Sequence, residues 1–295
     1  MAYKESFGRR TFVLLNGAFL IFVAFVCLVP LLNIFAISFS GMGAANAGRV
    51  DLWPVDFTVK AYEFVFRKPV FWNSVIVSVQ RVALGVTLNM FLTILLAYPL
   101  SKEAIHFKWR TFYVWIFFLT MLFSGGLIPN YMLVKQLGLQ DTLWALVLPG
   151  SVPVFNMILL LNFFRGIPKE LEDAAQIDGA GHWTILWRIF VPISLPVLAT
   201  ITLFSVVGHW NSWFDGLIYM NKLENYPLMS YMQSMIIQGN PMRNMSKEER
   251  TYFLSISDRT VKAAQIFISA IPILLVYPFL QRYFIKGIVL GSVKG

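Results

Sequence analysis

The chain has 295 residues and a formal net charge of +9, with 57% of its residues hydrophobic and only 13% charged. Ordinary soluble domains run near 45–50% apolar and about 25% charged, so this composition excludes a soluble globular protein and predicts an all-helical integral membrane protein. The positive charge comes with no nucleic-acid motif and sits at the flanks of apolar segments, where it orients spans, so a nucleic-acid partner is excluded too.

A transmembrane helix needs about 20 mostly apolar residues, and six runs meet that need: 11–39, 73–101, 111–133, 143–164, 192–220 and 262–285. Together they predict a membrane domain over 11–285 between short tails at 1–10 and 286–295. The first run follows Lys4, Arg9 and Arg10 but is far longer than an apolar signal core of about 7–15 residues, so it reads as a retained span. It contains Cys27, the only cysteine, so no intrachain disulfide or cysteine metal cluster can form. Pro30, like Pro99, Pro149, Pro272 and Pro278 in later runs, predicts a kink or a helix end.

Short loops set orientation. The N-terminal tail, the loop 102–110 with Lys102, Lys108 and Arg110, and the C-terminal tail with Lys286 and Lys294 are positive, while 134–142 holds only Lys135. Both termini and the segment 165–191 are therefore placed in the cytoplasm. The segments 40–72 and 221–261 mix their bases with acids such as Asp51, Glu63, Glu224 and Glu248 and are placed outside. Trp53, Trp72, Trp144 and Trp213 fall near outer boundaries and Trp109, Trp183 and Trp187 near inner ones, as an aromatic belt would.

Between the fourth and fifth runs lies a charged island. Pro168 suits a first helical turn, and Glu170, Glu172 and Asp173 suit a helix N-terminus, so a helix is predicted over 168–178. Gly179 and Gly181 supply the open backbone that stops it. A second helix follows, whose Trp183, Leu186, Trp187 and Phe190 form a stripe expected to lie in the inner membrane interface.

Polar residues inside the spans come next. An Arg or Asp at mid-helix costs about 2.5–3.5 kcal/mol on insertion scales, so Arg81 and Asp215 must face protein or water. With Asn89, His209, Trp210, Asn211, Trp213 and Tyr219 they could line a solute route. The other reading is snorkelling for Arg81 and interhelical hydrogen bonds for the amides. The longest loop, 221–261, holds an amphipathic piece from Leu228 to Ile237, a Gly239-Asn240-Pro241 turn and the charged run 247–250. Asn244-Met245-Ser246 matches a glycosylation acceptor and is given no meaning.

Catalytic and metal motifs are absent. There is no P-loop, no HExxH and no GxSxG, and His106, His182 and His209 are far apart, so no catalytic residue and no metal site are expected. An ion-coupled secondary transporter of a small polar solute is the alternative, but the repeated halves and mid-span carboxylate pair it would show are missing.

Asp173-Ala174-Ala175, three residues, Gly179, nine residues, Ile189, one residue, Val191 and Pro192 together resemble the EAA loop of binding-protein-dependent ABC importer permeases. Asp173 stands where Glu is usual and Val191 where Leu is usual. Ile177-Asp178-Gly179-Ala180, Trp210-Asn211-Ser212-Trp213 and the tail from Lys286-Gly287 to Lys294-Gly295 resemble the carbohydrate branch, the MalG-type permeases and within them the LplC/YtcP-like oligo- and polysaccharide group.

The resemblance implies a type I ABC importer fold with six spans and a cytoplasmic EAA coupling loop, in the bacterial plasma (inner) membrane. The implied partners are a second, different permease subunit, two cytoplasmic ATPases that carry ATP and Mg, an extracytoplasmic solute-binding protein approached by the loop 221–261, and a carbohydrate solute; no cofactor belongs to this chain. It implies that Glu172, Asp173, Ala174, Ala175, Asp178 and Gly179 couple to the ATPase, with Glu172 supplying a contact that the short Asp173 misses. The tail Gly291, Ser292, Val293, Lys294 and Gly295 is implied to reach the same ATPase.

Overall fold

The computed structural model describes residues 7–103, 105, 107–237, 252–253 and 256–291, and every regular element among them is helical. Several expectations fall outside these residues: His106, the Gly239-Asn240-Pro241 turn, Asn244, the run 247–250 and the tail from Ser292 to Gly295. By its internal contacts the chain divides into two units, Met1–Pro69 with Gln238–Ile271, and Val70–Ile237 with Pro272–Gly295.

In the first unit α1 runs over Phe7–Ser38. Thirty-two residues at 1.5 Å each span about 48 Å, well beyond a hydrocarbon core of about 30 Å. Nearly all of its large apolar side chains from Phe7 to Leu32 are exposed, the surface a helix presents to lipid rather than to water. Its C-terminal end is fastened: Asn33 Nδ2 donates to the carbonyls of Val50 (3.1 Å) and Asp51 (2.7 Å), and the Phe39 ring lies against Phe35, Phe57 and Tyr62. Two short helices follow, α2 (Met42–Asn46) and α3 (Lys60–Phe66). The last helix of the chain, Asp258–Gly291, begins in this unit, where Arg259 Nη1 donates to Ala45 O at 3.0 Å. It extends past the expected span end at 285.

The second unit begins with α4 (Pro69–Ser101), continuous apart from Pro99 near its end. The expected third span is two helices, α5 (Arg110–Leu122) and α6 (Leu127–Gln136), bent by 110°. Gly126 between them takes φ +86°, which a residue with a Cβ reaches only under strain. The expected fourth span is α7 (Leu143–Val147), a short 3-10 turn over Leu148–Gly150, and α8 (Val154–Arg165), bent by 47° where Pro149 and Pro153 interrupt the ladder. Then come α9 (Lys169–Ile177), α10 (His182–Ile185), a π-helical turn over Leu186–Phe190 and α11 (Val191–Ile193). The stretch His182–Ile193 meets α12 (Leu195–Asn211) at 82°, and α13 (Phe214–Tyr219) follows another break. The amphipathic piece is α14 (Leu228–Ile237). Leu160, Ile185, Phe190 and Ile201 belong to one buried cluster that joins α4, α8, α10 and α12.

Every break leaves carbonyls without helical partners, and a membrane tolerates that only where other groups supply donors. At two of the breaks those donors come from α4: Asn89 serves the fourth span, and Arg81 the break between α12 and α13.

Candidate functional site

The acidic helix α9 is held from behind and open in front. At its end Gly179 takes φ +80°, Gly179 N donates to Gln176 O at 3.0 Å and Ala180 N to Ala175 O at 2.9 Å. Those two bonds form a Schellman motif, which ends the helix through its backbone. Behind the helix, Glu172 turns inward and takes the ammonium of Lys102 at 2.5 Å, with the two side chains 18% and 14% exposed. Lys102 also lies over the Tyr98 and Phe190 rings, 4.1 and 4.3 Å from their centroids. Burial pushes the Lys102 ammonium down from the ordinary lysine range, against the bond and charge of Glu172. A second ion pair, Lys169 with Glu103, is far more exposed. The front presents Leu171, Ala174, Ile177 and Asp178, with Ile177 86% exposed, and Asp173 is exposed at the edge between front and back. Ala175 is half-buried against the core.

The following segment differs from expectation. Its stripe does not lie on one surface: Leu186 and Phe190 are buried in the core, while Trp183 and Trp187 are exposed. Ile185 takes the third buried position, and the π turn shifts the face so that 3.6-residue spacing no longer applies.

The second constellation is a stripe along α4. Ser74, Ser78, Arg81, Gly85, Asn89 and Thr93 recur every three or four residues and are all buried. Arg81, only 3% exposed, does not snorkel. It makes a bidentate pair with Asp215, and its Nη1 donates to Ser212 O at 3.1 Å, which closes the break between α12 and α13. Asp215 Oδ1 also accepts from Ser212 Oγ and from Gly216 N, both at 2.9 Å. Lower on the stripe, Asn89 lies 3.1 Å from His209 Nε2. The amide orientation that satisfies both ends puts its oxygen on the ring N–H and its nitrogen 3.0 Å from Gly85 O, 3.3 Å from Gly150 O and 3.1 Å from Ser151 O. Asn89 thereby supplies donors at the break in the fourth span. Gly85 leaves room for the imidazole, since a Cβ there would overlap the His209 ring. Ser78 Oγ accepts from Leu228 N at 2.7 Å, where α14 begins.

The residues grouped for a solute route thus separate. Arg81 with Asp215, and Asn89 with His209, form internal networks; Trp210 is buried; Tyr219 packs in another cluster with Val134 and Ala145. Asn211 and Trp213 remain exposed, with Phe214 against Trp213 at 5.6 Å between ring centroids. Sequence reasoning missed Ser74, Ser78, Gly85 and Thr93. Their signal was present, as small or polar residues at helical spacing within an apolar run.

The family model described as "Binding-protein-dependent transport system inner membrane component" matches residues 6–290. The chain is 38% identical to the polygalacturonan/rhamnogalacturonan transport system permease protein YtcP of Bacillus subtilis (strain 168), over 97% of this chain and 99% of that one. It is 40% identical to Protein LplC of the same organism, over 97% and 96%. In a solved bacterial ABC transporter involved in import of the acidic polysaccharide alginate, a chain 33% identical superposes with a TM-score of 0.85, covering 96% of this chain and all of that one. With a matching family model over nearly its whole length and relatives that are permeases, this chain belongs to the binding-protein-dependent transport system inner membrane components, the permease subunits of ABC importers.

Proposed function

We propose that the chain carries fragments of a polysaccharide into a bacterial cell, as one of two different permease subunits above a pair of ATPases that bind ATP and Mg, fed by a solute-binding protein outside. In this reading both termini and α9 face the cytoplasm. The observation that carries it is the construction of α9: fixed from behind by Lys102, Lys169 and a backbone motif, it presents Leu171, Ala174 and Ile177 outward. Leu171, Ala174 and Ile177 form a contiguous apolar strip on an exposed, acid-flanked helix, the kind of surface a partner covers. Asp173 and Asp178 flank that surface, whereas Glu172 serves as the internal tether. Gly291 and the residues after it are assigned as a second ATPase contact.

At the other end, Asn211 and Trp213 are the groups proposed to meet the sugar, an amide for hydroxyls and an indole for stacking. Arg81 is neutralised by Asp215 and positions the turn that carries them. The relatives named for polygalacturonan/rhamnogalacturonan and alginate suggest uronate-containing oligosaccharides. The test is to reconstitute the complete transporter and measure ATP turnover with its binding protein and oligogalacturonides, oligoalginates or neutral maltooligosaccharides. Stimulation by one of the acidic pair supports the reading; stimulation by the neutral series alone would overturn the acidic assignment. Ile177→Glu should abolish co-purification of the ATPase, and retained co-purification would remove α9 as the docking element.

A further inference from the structure

A cavity of about 820 Å³ opens in the second unit among the ends of α4, α5 and α8 and the inner side of α9. Small-molecule sites run from about 300 to 1,000 Å³. Its charges do not cancel pairwise. Lys102 is taken by Glu172 and Lys169 by Glu103, yet Arg110 and Arg165 form no ion pair among the described residues, and neither does Asp173 at the same wall.

Arg110 opens α5 and Arg165 closes α8. Each makes one hydrogen bond to the end of α4, Arg110 Nη1 to Lys102 O at 3.0 Å and Arg165 Nη2 to Leu100 O at 3.5 Å. Cations at a helix C-terminus have a plain use as caps, and that accounts for these two bonds. It does not account for the rest. A guanidinium has five donors, and Nε of Arg110 is shut off from solvent with no acceptor. Nor does capping require both guanidinium groups to line one cavity. An anion with several acceptor oxygens between them would satisfy both features.

The remaining wall narrows the class of anion. Phe107 and Trp183 line it beside the core residues Phe164 and Leu186, and Trp183, 64% exposed, offers an open apolar face that a free inorganic ion would not cover. We propose that the cavity binds the phosphodiester of an anionic phospholipid, with Arg110 and Arg165 on the phosphate oxygens and hydrocarbon against Phe107 and Trp183. Basic pockets between transmembrane helices on the cytoplasmic side suit such headgroups. That this is the inner leaflet rests on the orientation proposed above; the arginine pair and its wall do not. A lipid so placed touches the segment that carries Glu172, so lipid composition would tune coupling.

The assembled transporter is tested in nanodiscs containing brominated phosphatidylglycerol or brominated phosphatidylcholine, with Trp183→Phe isolating the quenching of Trp183. Quenching by the glycerol lipid well above that by the choline lipid is expected; equal quenching overturns the proposal. Native mass spectrometry after detergent exchange should show phosphatidylglycerol retention falling about fivefold for each of Arg110→Gln and Arg165→Gln, with Arg188→Gln, outside the cavity, unchanged. Retention that survives the double change overturns it too. In a further arm inorganic phosphate is added: displacement of the lipid by phosphate would assign the site to a soluble phosphate compound and overturn the lipid assignment, and no displacement supports it. The quenching arm keeps both arginines, so it decides even if a variant fails to assemble, and sugar uptake is read separately from either.

Discussion

Two ion pairs hang from one helix and its first following residue. Arg81 and Lys102 are 21 positions apart, about 31 Å along α4. Arg81 binds Asp215 with side-chain exposures of 3% and 24%, and the same two side chains also hold the break itself, Arg81 through Ser212 O and Asp215 through Ser212 Oγ and Gly216 N. Lys102 binds Glu172 in a wetter setting beside the looser Lys169–Glu103 pair, whose exposures are 70% and 55%. The break after α12 is thus closed by one charge pair with its surrounding hydrogen bonds, and the α9 end by several separate attachments of graded strength. The contrast separates a part whose loss breaks the subunit from one whose loss detunes it.

The largest effect should come from Arg81→Met, which leaves the Asp215 carboxylate without its counter-ion and with only Ser212 Oγ and Gly216 N to bind. Removing one partner of a buried pair costs about 3–5 kcal/mol, so the purified complex should melt well below wild type and transport nothing. Arg81→Met with Asp215→Leu should regain most of that stability, because no charge is stranded. A stable single variant would break the contrast at its stronger end.

Lys102→Gln should cost less. A hydrogen bond to a charged group contributes about 1.5–3 kcal/mol, and the Lys169–Glu103 pair and the backbone motif remain. Insertion and ATPase attachment should survive while the number of ATP molecules used per sugar rises. Loss of the whole complex in this variant would place Lys102 in the same class as Arg81.

Gly179→Ala tests the backbone attachment. No atom stands within 4 Å of a Cβ built there, so only the φ of +80° opposes the change. A left-handed conformation costs an L-residue about 1–2 kcal/mol, and Gly179→Val should cost more because branching stiffens it further. The expected result is uptake falling from Gly to Ala to Val at constant ATPase attachment; equal uptake in all three would dismiss the hinge.

The smallest effect belongs to Glu103→Gln. Exposed pairs contribute little and are screened by salt, so uptake and coupling should match wild type at physiological salt. A clear defect there would show that the outer pair shares the load, and the grading would need redrawing.

The helical class and the acidic island were legible because both rest on local signals: runs of apolar residues, a proline entry and a glycine exit. The inward turn of Glu172 was not, since its partner Lys102 is 70 positions away and several carboxylates compete for it in sequence. Arg81 could be read as snorkelling for the same reason, with Asp215 lying 134 positions off. The bends were hidden too, because a span broken at 110° has the same apolar content as a straight one. Two of the breaks leave a trace in the stripe on α4, where Arg81 and Asn89 answer carbonyls set free at Ser212, Gly150 and Ser151.

The Schellman end of α9 is written almost wholly in main-chain atoms, with Gly179 the one side-chain requirement. The outward residues are therefore under no obligation to hold the helix together. If α9 docks the ATPase as proposed, Leu171, Ala174 and Ile177 can change to suit a different motor protein while the backbone delivers the same pose. A lineage could exchange one ATPase for another, or let several permeases share one, by altering a few exposed positions and leaving the rest of the membrane domain untouched.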